Sequence, residues 1–95
     1  MGAVNSVTSA ETRLENIKSG RNFIVAADGN DLHFNNVQCG GNFIIKGKGT
    51  RNIYLTGDVA VKGNIICENG GCNLYINCKN FTSCSIVDFN DVKMQ

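Results

Sequence analysis

Asn42-Phe43-Ile44-Ile45 is the stretch that decides the fold, because the chain repeats its pattern of a polar residue followed by alternating apolar positions. The copies form two series that alternate along the sequence. They begin at Asn22, Asn42 and Asn64 in the first series, and at Asp31, Asn52 and Asn73 in the second. Alternation over four or five residues, with glycine and polar residues between, is typical of half-buried β-strands.

A third, weaker series begins at Val37, Val59 and Phe81. Copies within each series lie 20 to 22 residues apart, and a fixed period of this length indicates a stacked repeat architecture. We therefore predict an all-β fold, a small β-solenoid (parallel β-helix) of about three coils of 20–22 residues with three short strands each. An antiparallel β meander or sandwich is the alternative, but it does not explain why alternate strands share their sequence.

Like residues should stack on like in such a solenoid. The first series predicts an internal column of Phe23, Phe43 and Ile65, and the second series predicts one of Leu32, Ile53 and Leu74. The asparagines that open the first series should form a ladder at one corner, where side-chain amides bond along the stack.

Length and composition fit one small domain. Ninety-five residues are enough for a thin core, and a net charge of +1 gives no general attraction to nucleic acid. No apolar run approaches the length of a membrane span, and no secretory leader opens the sequence. The five cysteines are an odd number, so at least one thiol is free or pairs outside the chain.

The first residues, Met1-Gly2-Ala3-Val4-Asn5-Ser6, fit the pattern for N-myristoylation of Gly2. A chance match is the alternative, since many chains begin with Met-Gly. A single myristoyl chain binds membranes only marginally, so membrane attachment would need a second contact.

Residues 7–19 change period. Apolar residues at helical spacing, a capping box and a final glycine mark this segment: Val7, Ala10, Leu14, Ile17, Thr8 with Glu11, and Gly20. We predict a short amphipathic helix, so that residues 1–20 form an acylation-motif segment with a capping helix and residues 21–95 form the solenoid domain. The helix should close the first coil, and the alternative is that it lies on a lipid surface.

Residues between two buried positions of a strand point outward. In the two main series these outward residues form an apolar stripe and an aromatic stripe: Ile24, Ile44 and Ile66, and His33, Tyr54 and Tyr75. A contiguous apolar patch usually marks an interaction surface, so we predict that both stripes contact partners. The alternative for the isoleucines is that the helix or the C-terminal tail covers them.

No motif for catalysis is present, and we expect a non-enzymatic protein without catalytic residues, cofactor or small-molecule substrate. The Gly47-Lys48-Gly49-Thr50 segment has phosphate-loop residues, but a strand rather than a helix follows it, so we interpret it as a basic turn. The one histidine, His33, has no nucleophile motif beside it.

The cysteines do not have the spacing of a zinc site, so we predict no bound metal. Cys39 and Cys67 fall where other coils carry Val or Ile, which indicates small buried apolar side chains. Cys72, Cys78 and Cys84 lie within one coil, and an oxidising environment would allow one disulfide among them.

Several segments together resemble a viral family. Gly2 with Ser6, the short helix, residues 20–25 and the Asp28-Gly29-Asn30 turn are similar to the start of myristoylated virion membrane proteins of nucleocytoplasmic large DNA viruses. Poxvirus entry-complex proteins and giant-virus relatives belong to that family, and Gly71-Cys72-Asn73-Leu74 with Asn77-Cys78 is similar to a motif of its poxvirus members. Members are longer and helix-rich, and they carry a transmembrane tail that is not found in these 95 residues.

The resemblance implies that Gly2 accepts the acyl chain and that the protein resides between a viral membrane and a protein shell. Through the thiol oxidation systems of such viruses, it also implies a disulfide near Cys72. The expected function is therefore a structural virion component, a minor capsid or internal-membrane-associated protein that joins capsid subunits or ties them to the membrane.

The expected partners are other capsid or virion proteins and, through acylated Gly2, a membrane surface, with no nucleic acid. The expected location is the virion, near an internal membrane, or otherwise the cytoplasm as a peripheral membrane protein. One alternative function is a receptor-binding or entry-complex module on the virion surface. Another is a small-molecule or metal-binding domain that uses His33 and the cysteines.

Overall fold

The computed structural model describes residues 3–7 and 11–95, with side chains from residue 12 onward. These residues form ten strands in two sheets. Sheet A contains β1 (Ala3–Val7), β3 (Phe23–Ala27), β5 (Phe43–Lys46), β7 (Ile65–Cys67) and β9 (Ile86–Val87), in that order. Sheet B contains β2 (Glu11–Ser19), β4 (Asp31–Cys39), β6 (Arg51–Val61), β8 (Cys72–Thr82) and β10 (Asp91–Met94), also in chain order.

All pairings between the described strands are parallel, and successive strands alternate between the two sheets. The chain therefore winds as a β-solenoid, as the 20–22-residue period predicted, and it has about four turns. The antiparallel meander or sandwich is excluded, because no antiparallel pair occurs among the described strands.

The core consists of columns of like residues. Phe23, Phe43 and Ile65 are in register through sheet A, and all three are buried. Leu32, Ile53 and Leu74 form the corresponding buried column of sheet B. Phe34 joins the two sheets, since its ring lies edge-on to Phe43 with the centroids 5.1 Å apart. Both predicted core columns are confirmed.

Three long strands of sheet B, β2, β4 and β6, bend near the middle. The residues at the bends have positive φ: Asn16 (55°), Asn36 (64°) and Gly57 (75°). Asparagine and glycine tolerate this left-handed conformation better than other residues. The bend turns Asn35 and Asn36 to solvent between the buried Phe34 and Val37. The second and third series thus share one bent strand per coil, where three separate strands were predicted.

The same bend explains why the predicted helix over residues 7–19 is wrong. Residues 11–19 form β2, whose two partly buried apolar side chains, Leu14 and Ile17, lie on either side of the bend at Asn16. Two inward residues separated by two outward ones reproduce the i, i+3 spacing of a helix. Thr8 and Ala10, which completed the helical pattern, lie outside the described residues. Because β1 and β2 add a coil, the solenoid has about four turns and not three.

A ladder of asparagines lines the corner before sheet A. The N–H of Asn42 donates to Oδ1 of Asn22 (2.8 Å), and the N–H of Asn64 donates to Oδ1 of Asn42 (2.8 Å). The predicted corner stack is thus present, although each side chain bonds the next backbone and not the next amide. Gly63 allows this close approach, because a Cβ there would lie 2.2 Å from Oδ1 of Asn42.

Replacing Phe43 by alanine tests the core. The ring is fully buried between Phe23 and Phe34, so Phe43→Ala should lower the free energy of unfolding by about 3–5 kcal/mol. Chemical denaturation of the purified chain measures this loss. A loss below about 1 kcal/mol would contradict the observed register, since it is the size expected of a surface position.

Candidate interaction faces

Sheet A carries an apolar column on its outer side. We call Ile24, Ile44, Ile66 and Val87 the isoleucine stripe; they are in register on neighbouring strands. All four are half-buried, and the three isoleucines alternate with fully buried residues and so point away from the core. Val4 of β1 occupies the next position of the column. The predicted stack of Ile24, Ile44 and Ile66 is therefore present, and its contact with a partner stays a prediction.

In the alternative interpretation the helix segment or the C-terminal tail covers the isoleucine stripe, but the described strands of these two segments belong to the other sheet. Residues 11–19 are β2 of sheet B, and the tail residues Asp91–Met94 are β10 of the same sheet. The stripe belongs to sheet A, where Ala26 and Lys46 border it on one side. The corner asparagine ladder borders it on the other side. The stripe is therefore an aliphatic ridge on a rigid, hydrogen-bonded support.

Sheet B presents the aromatic stripe, defined as His33, Tyr54 and Tyr75. The rings of His33 and Tyr54 stack with centroids 4.4 Å apart and 6° between their planes. Tyr54 and Tyr75 stack at 4.8 Å and 13°. The three side chains that the sequence predicted on one face are thus brought into one continuous stack.

Cations continue both ends of this column. Arg13 is in register with His33, and Lys93 is in register with Tyr75. The Nζ atom of Lys93 lies 5.7 Å from the centroid of the Tyr75 ring, within the range of a cation–π contact.

Beside the aromatic stripe runs a ladder of side-chain hydrogen bonds, each 3.1 Å long: Asn52 Nδ2 to Asp31, Asn73 Nδ2 to Asn52, and Asn90 Nδ2 to Asn73.

The stacking limits what the aromatic stripe can bind. Platforms for bases offer the free face of an aromatic ring. Here both faces of Tyr54 are covered, by His33 on one side and Tyr75 on the other. The stripe therefore offers ring edges and polar tips to solvent, which suits hydrogen bonding across a flat protein surface better than ring stacking.

The disulfide of the structure joins Cys67 to Cys72, with Cα atoms 6.2 Å apart. Both residues are fully buried, whereas Cys78 and Cys84 are free. The prediction that Cys67 is only a small apolar side chain is wrong, and so is a pairing of Cys72 with Cys78 or Cys84. Cys67 ends β7 and Cys72 begins β8, so the two face inward from either end of one turn. Two cysteines that flank a single turn were therefore the feature of the sequence from which this pair could have been predicted.

The free thiols differ in their surroundings. Cys39 is buried as predicted, and its Sγ lies 3.3 Å from the carbonyl oxygen of Arg21. Burial raises the pKa of the Cys78 thiol, and the charge of Asp58 raises it further. Cys78 is therefore a neutral thiol at pH 7 and not an activated nucleophile.

Arg51 is a feature that sequence reasoning missed. Its side chain is completely buried in register with Cys72, at the start of β6. Nε donates to the carbonyl oxygen of Gly49 (3.0 Å), and Nη2 donates to those of Glu68 (3.3 Å) and Gly70. Burial lowers the pKa of the guanidinium and the charge of Asp28 raises it, but arginine stays protonated in proteins.

Arg51 thus clamps two stacked turns from inside. Its acceptors at residues 68 and 70 lie in the turn that the Cys67–Cys72 disulfide closes. Nη1 is buried without a hydrogen-bond partner, so the guanidinium is held by three carbonyl groups at one side only. The clamp and the disulfide together fix the turn between β7 and β8.

Two further kinds of feature are not found among the described residues. Residues 3–7 and 11–95 contain no group of three His, Cys, Asp or Glu side chains that could hold a metal ion. No helix long and apolar enough to span a membrane occurs in the same part of the chain. Gly2, the predicted acylation site, lies outside the described residues.

Comparison of the chain with protein-family models, with curated proteins and with solved structures finds no match. The two faces are therefore the basis for a functional assignment.

The Cys67–Cys72 disulfide should contribute measurably to the stability of the fold. Closing so short a loop should stabilise the fold by about 2 kcal/mol, because it restricts the unfolded chain. Guanidinium unfolding with and without dithiothreitol measures this difference. Dithiothreitol should not change the unfolding of the Cys67→Ala/Cys72→Ala variant, and equal stability of the oxidised and reduced wild type would contradict the prediction.

Arg51→Lys tests the clamp. Lysine keeps the charge but cannot reach the carbonyl groups of both turns, so we expect a loss of about 1.5–3 kcal/mol in the free energy of unfolding. Arg21→Lys is the control, since Arg21 is exposed and should change stability by less than about 0.5 kcal/mol. Equal effects of the two substitutions would show that the buried hydrogen bonds contribute nothing.

Proposed function

We propose that this chain is a structural protein of a large DNA virus, a minor capsid or internal-membrane-associated component that joins larger capsid subunits. The observation that carries the proposal is the isoleucine stripe: an aliphatic column on the outside of sheet A, where solvent-facing positions are ordinarily polar. The resemblance of Gly2, Ser6 and the Cys72 motif to viral membrane proteins supports the viral context.

The stripe is suited to docking because its residues are already ordered. Backbone pairing to neighbouring strands holds Ile24, Ile44 and Ile66 at a spacing of about 4.8 Å. β-Branched side chains have few rotamers, so they lose little conformational entropy when a partner covers them. A rigid aliphatic ridge of this kind fits a groove on a preformed protein surface.

The size of the stripe favours a role in a multi-copy assembly. Its four described residues span three strand spacings, roughly 14 Å, whereas a specific interface buries about 800 Å² on each partner. A weak contact of this kind becomes effective when many copies act together, as they do in a shell.

Acylation of Gly2 would add a second weak contact. Gly2 directly precedes β1 in the sequence, and Val4 of that strand is in register with Ile24. Neither a single acyl chain nor a short apolar column holds a protein firmly, but two such contacts together do. The Cys67–Cys72 disulfide further supports residence in a place where thiols are oxidised.

A receptor-binding role is the second candidate, and the aromatic stripe is the observation that favours it. Tyrosine is enriched in protein interfaces because it combines apolar area with a polar tip. Tyr54 and Tyr75 are half-buried, and the ladder of Asn52 and Asn73 beside them adds hydrogen-bonding groups. In this role the aromatic stripe, and not the isoleucine stripe, would contact the partner.

Ile44→Lys distinguishes the two faces. The side chain points away from the core, so the variant should fold with a melting temperature close to that of the wild type. It should lose incorporation into particles, or binding to the capsid partner, because it places a charge in the middle of the apolar column. Circular dichroism and copurification with particles measure the two effects.

Ala60→Lys is the matched control, since it adds the same charge at an exposed strand position of sheet B. It should fold and assemble normally. If Ile44→Lys unfolds the protein, Ile44 belongs to the core. If it folds and still assembles, the isoleucine stripe is not the interface, and Tyr54→Ala becomes the test of the aromatic stripe.

A further inference from the structure

The C-terminal end of the solenoid exposes core positions. Among the residues with described side chains, the large hydrophobic residues that are exposed are Val92 (40%) and Met94 (71%). Val92 is in register with Leu74, and Met94 with Ile76, both of which are buried. The two exposed residues therefore continue two internal columns, those of Leu74 and Ile76, and a further stacked coil would cover them.

The outer backbone edge of β10 has no paired strand among the described residues. β10 is the last strand of sheet B among the described residues and pairs with β8 on one edge only. An open strand edge above apolar side chains favours pairing with another strand. We propose that this end binds the same end of a second copy of the chain, in a two-fold symmetric dimer with the two β10 strands antiparallel.

The charges of β10 fit this arrangement. With a two-fold axis at Val92, antiparallel pairing places Asp91 of each copy opposite Lys93 of the other, and Val92 opposite itself. Opposite charges directly across an antiparallel pair are stabilising, and the central valines add an apolar contact. The strand is therefore complementary to its own reversed copy.

The charges also disfavour the competing arrangement, in which copies stack head to tail into a fibre. In the register of the repeat, Asp91 would lie over the column that begins with Glu11, and Lys93 over the column that begins with Arg13. Two cations, Lys93 of one copy and Arg13 of the next, would then lie in one column. The inner coils carry His33, Tyr54 and Tyr75 in this column, so its two cations stand at the ends, where they disfavour open-ended stacking. The acidic column does not discriminate, since Glu11 is already in register with Asp31 within the chain.

The area of the end is adequate for a reversible dimer. With molecular extents of 29 × 26 × 21 Å, the rectangle that encloses one end measures roughly 550–750 Å², so the area that a dimer buries lies below the ~800 Å² per partner of a standard interface. Ile86 and Phe89, which are partly buried at the same end, extend the apolar surface around Val92 and Met94.

One consequence rests on the proposed function. The same axis brings β9 beside its copy, so Val87 at the end of one isoleucine stripe would adjoin Val87 of the second copy. The dimer would then present a stripe of twice the length to a capsid partner. The dimer itself requires no partner, so its failure and that of the proposed function are measured separately.

Sedimentation equilibrium of the purified chain tests the proposal, with Cys84→Ser in every sample to exclude intermolecular disulfides. We expect a monomer–dimer equilibrium without larger species. Lys93→Asp should raise the dimer dissociation constant at least tenfold, since it places like charges across the axis. Lys62→Asp, at an exposed corner, makes the same change in net charge and should leave the dissociation constant unchanged. Thermal unfolding checks that both variants fold.

The swap Asp91→Lys/Lys93→Asp should restore the dimer, because opposite charges again meet across the axis. Val92→Cys in the Cys84→Ser background should form a covalent dimer on oxidation, since paired residues of antiparallel strands lie within disulfide distance. Thr82→Cys is its control. A monomer at all concentrations, a mass that grows beyond the dimer, or equal effects of Lys93→Asp and Lys62→Asp would overturn the proposal.

Discussion

Every feature of this protein depends on parallel backbone pairing between successive coils. Pairing in register forces each residue to lie over the residue one period away, so most internal positions of successive coils carry similar residues. Phe23 over Phe43 and Leu32 over Ile53 satisfy this demand in the core. Asn22 under Asn42 satisfies it at the corner, where the side chain of one coil accepts the backbone N–H of the next.

This constraint made the core predictable, because a column of stacked residues is written in the sequence as a period. The features that were not predicted from the sequence are those in which one coil differs from its neighbours. Ile45, Cys67 and Val25 share a column, so Cys67 was interpreted as an apolar residue until its partner Cys72 was placed opposite it. Arg51 escaped for the same reason, since no other coil has a cation at its position and only the stacked turns show the carbonyl groups that hold it.

The error over residues 7–19 has a different cause. A bent strand with two outward residues between inward ones has the spacing of one helical turn, and Leu14 and Ile17 have that spacing in β2. The bend at Asn16 could have been predicted from Asn36, which occupies the equivalent place 20 residues later. Periodicity of the whole chain was therefore a better guide to this segment than its local pattern. The candidate faces were predicted in part. The residues of both stripes were identified except Val87, but the ring stacking that covers the faces of Tyr54 depends on side-chain geometry.

The stacking of like residues leaves the choice of side chain open at two places, and we expect functional contacts at both. One is the outer surface, where polar residues would fold equally well; an isoleucine column there is unnecessary for the core. The other is the pair of ends, where the repeat itself creates a surface that fits another coil. A solenoid with neutral ends would add copies without limit, because each new end equals the last. In the dimer that we propose, Asp91 and Lys93 match their own reversed copy, whereas head-to-tail stacking would place Lys93 over Arg13 of the next chain. In that arrangement the charges of one short strand favour closure after two copies over growth into a fibre.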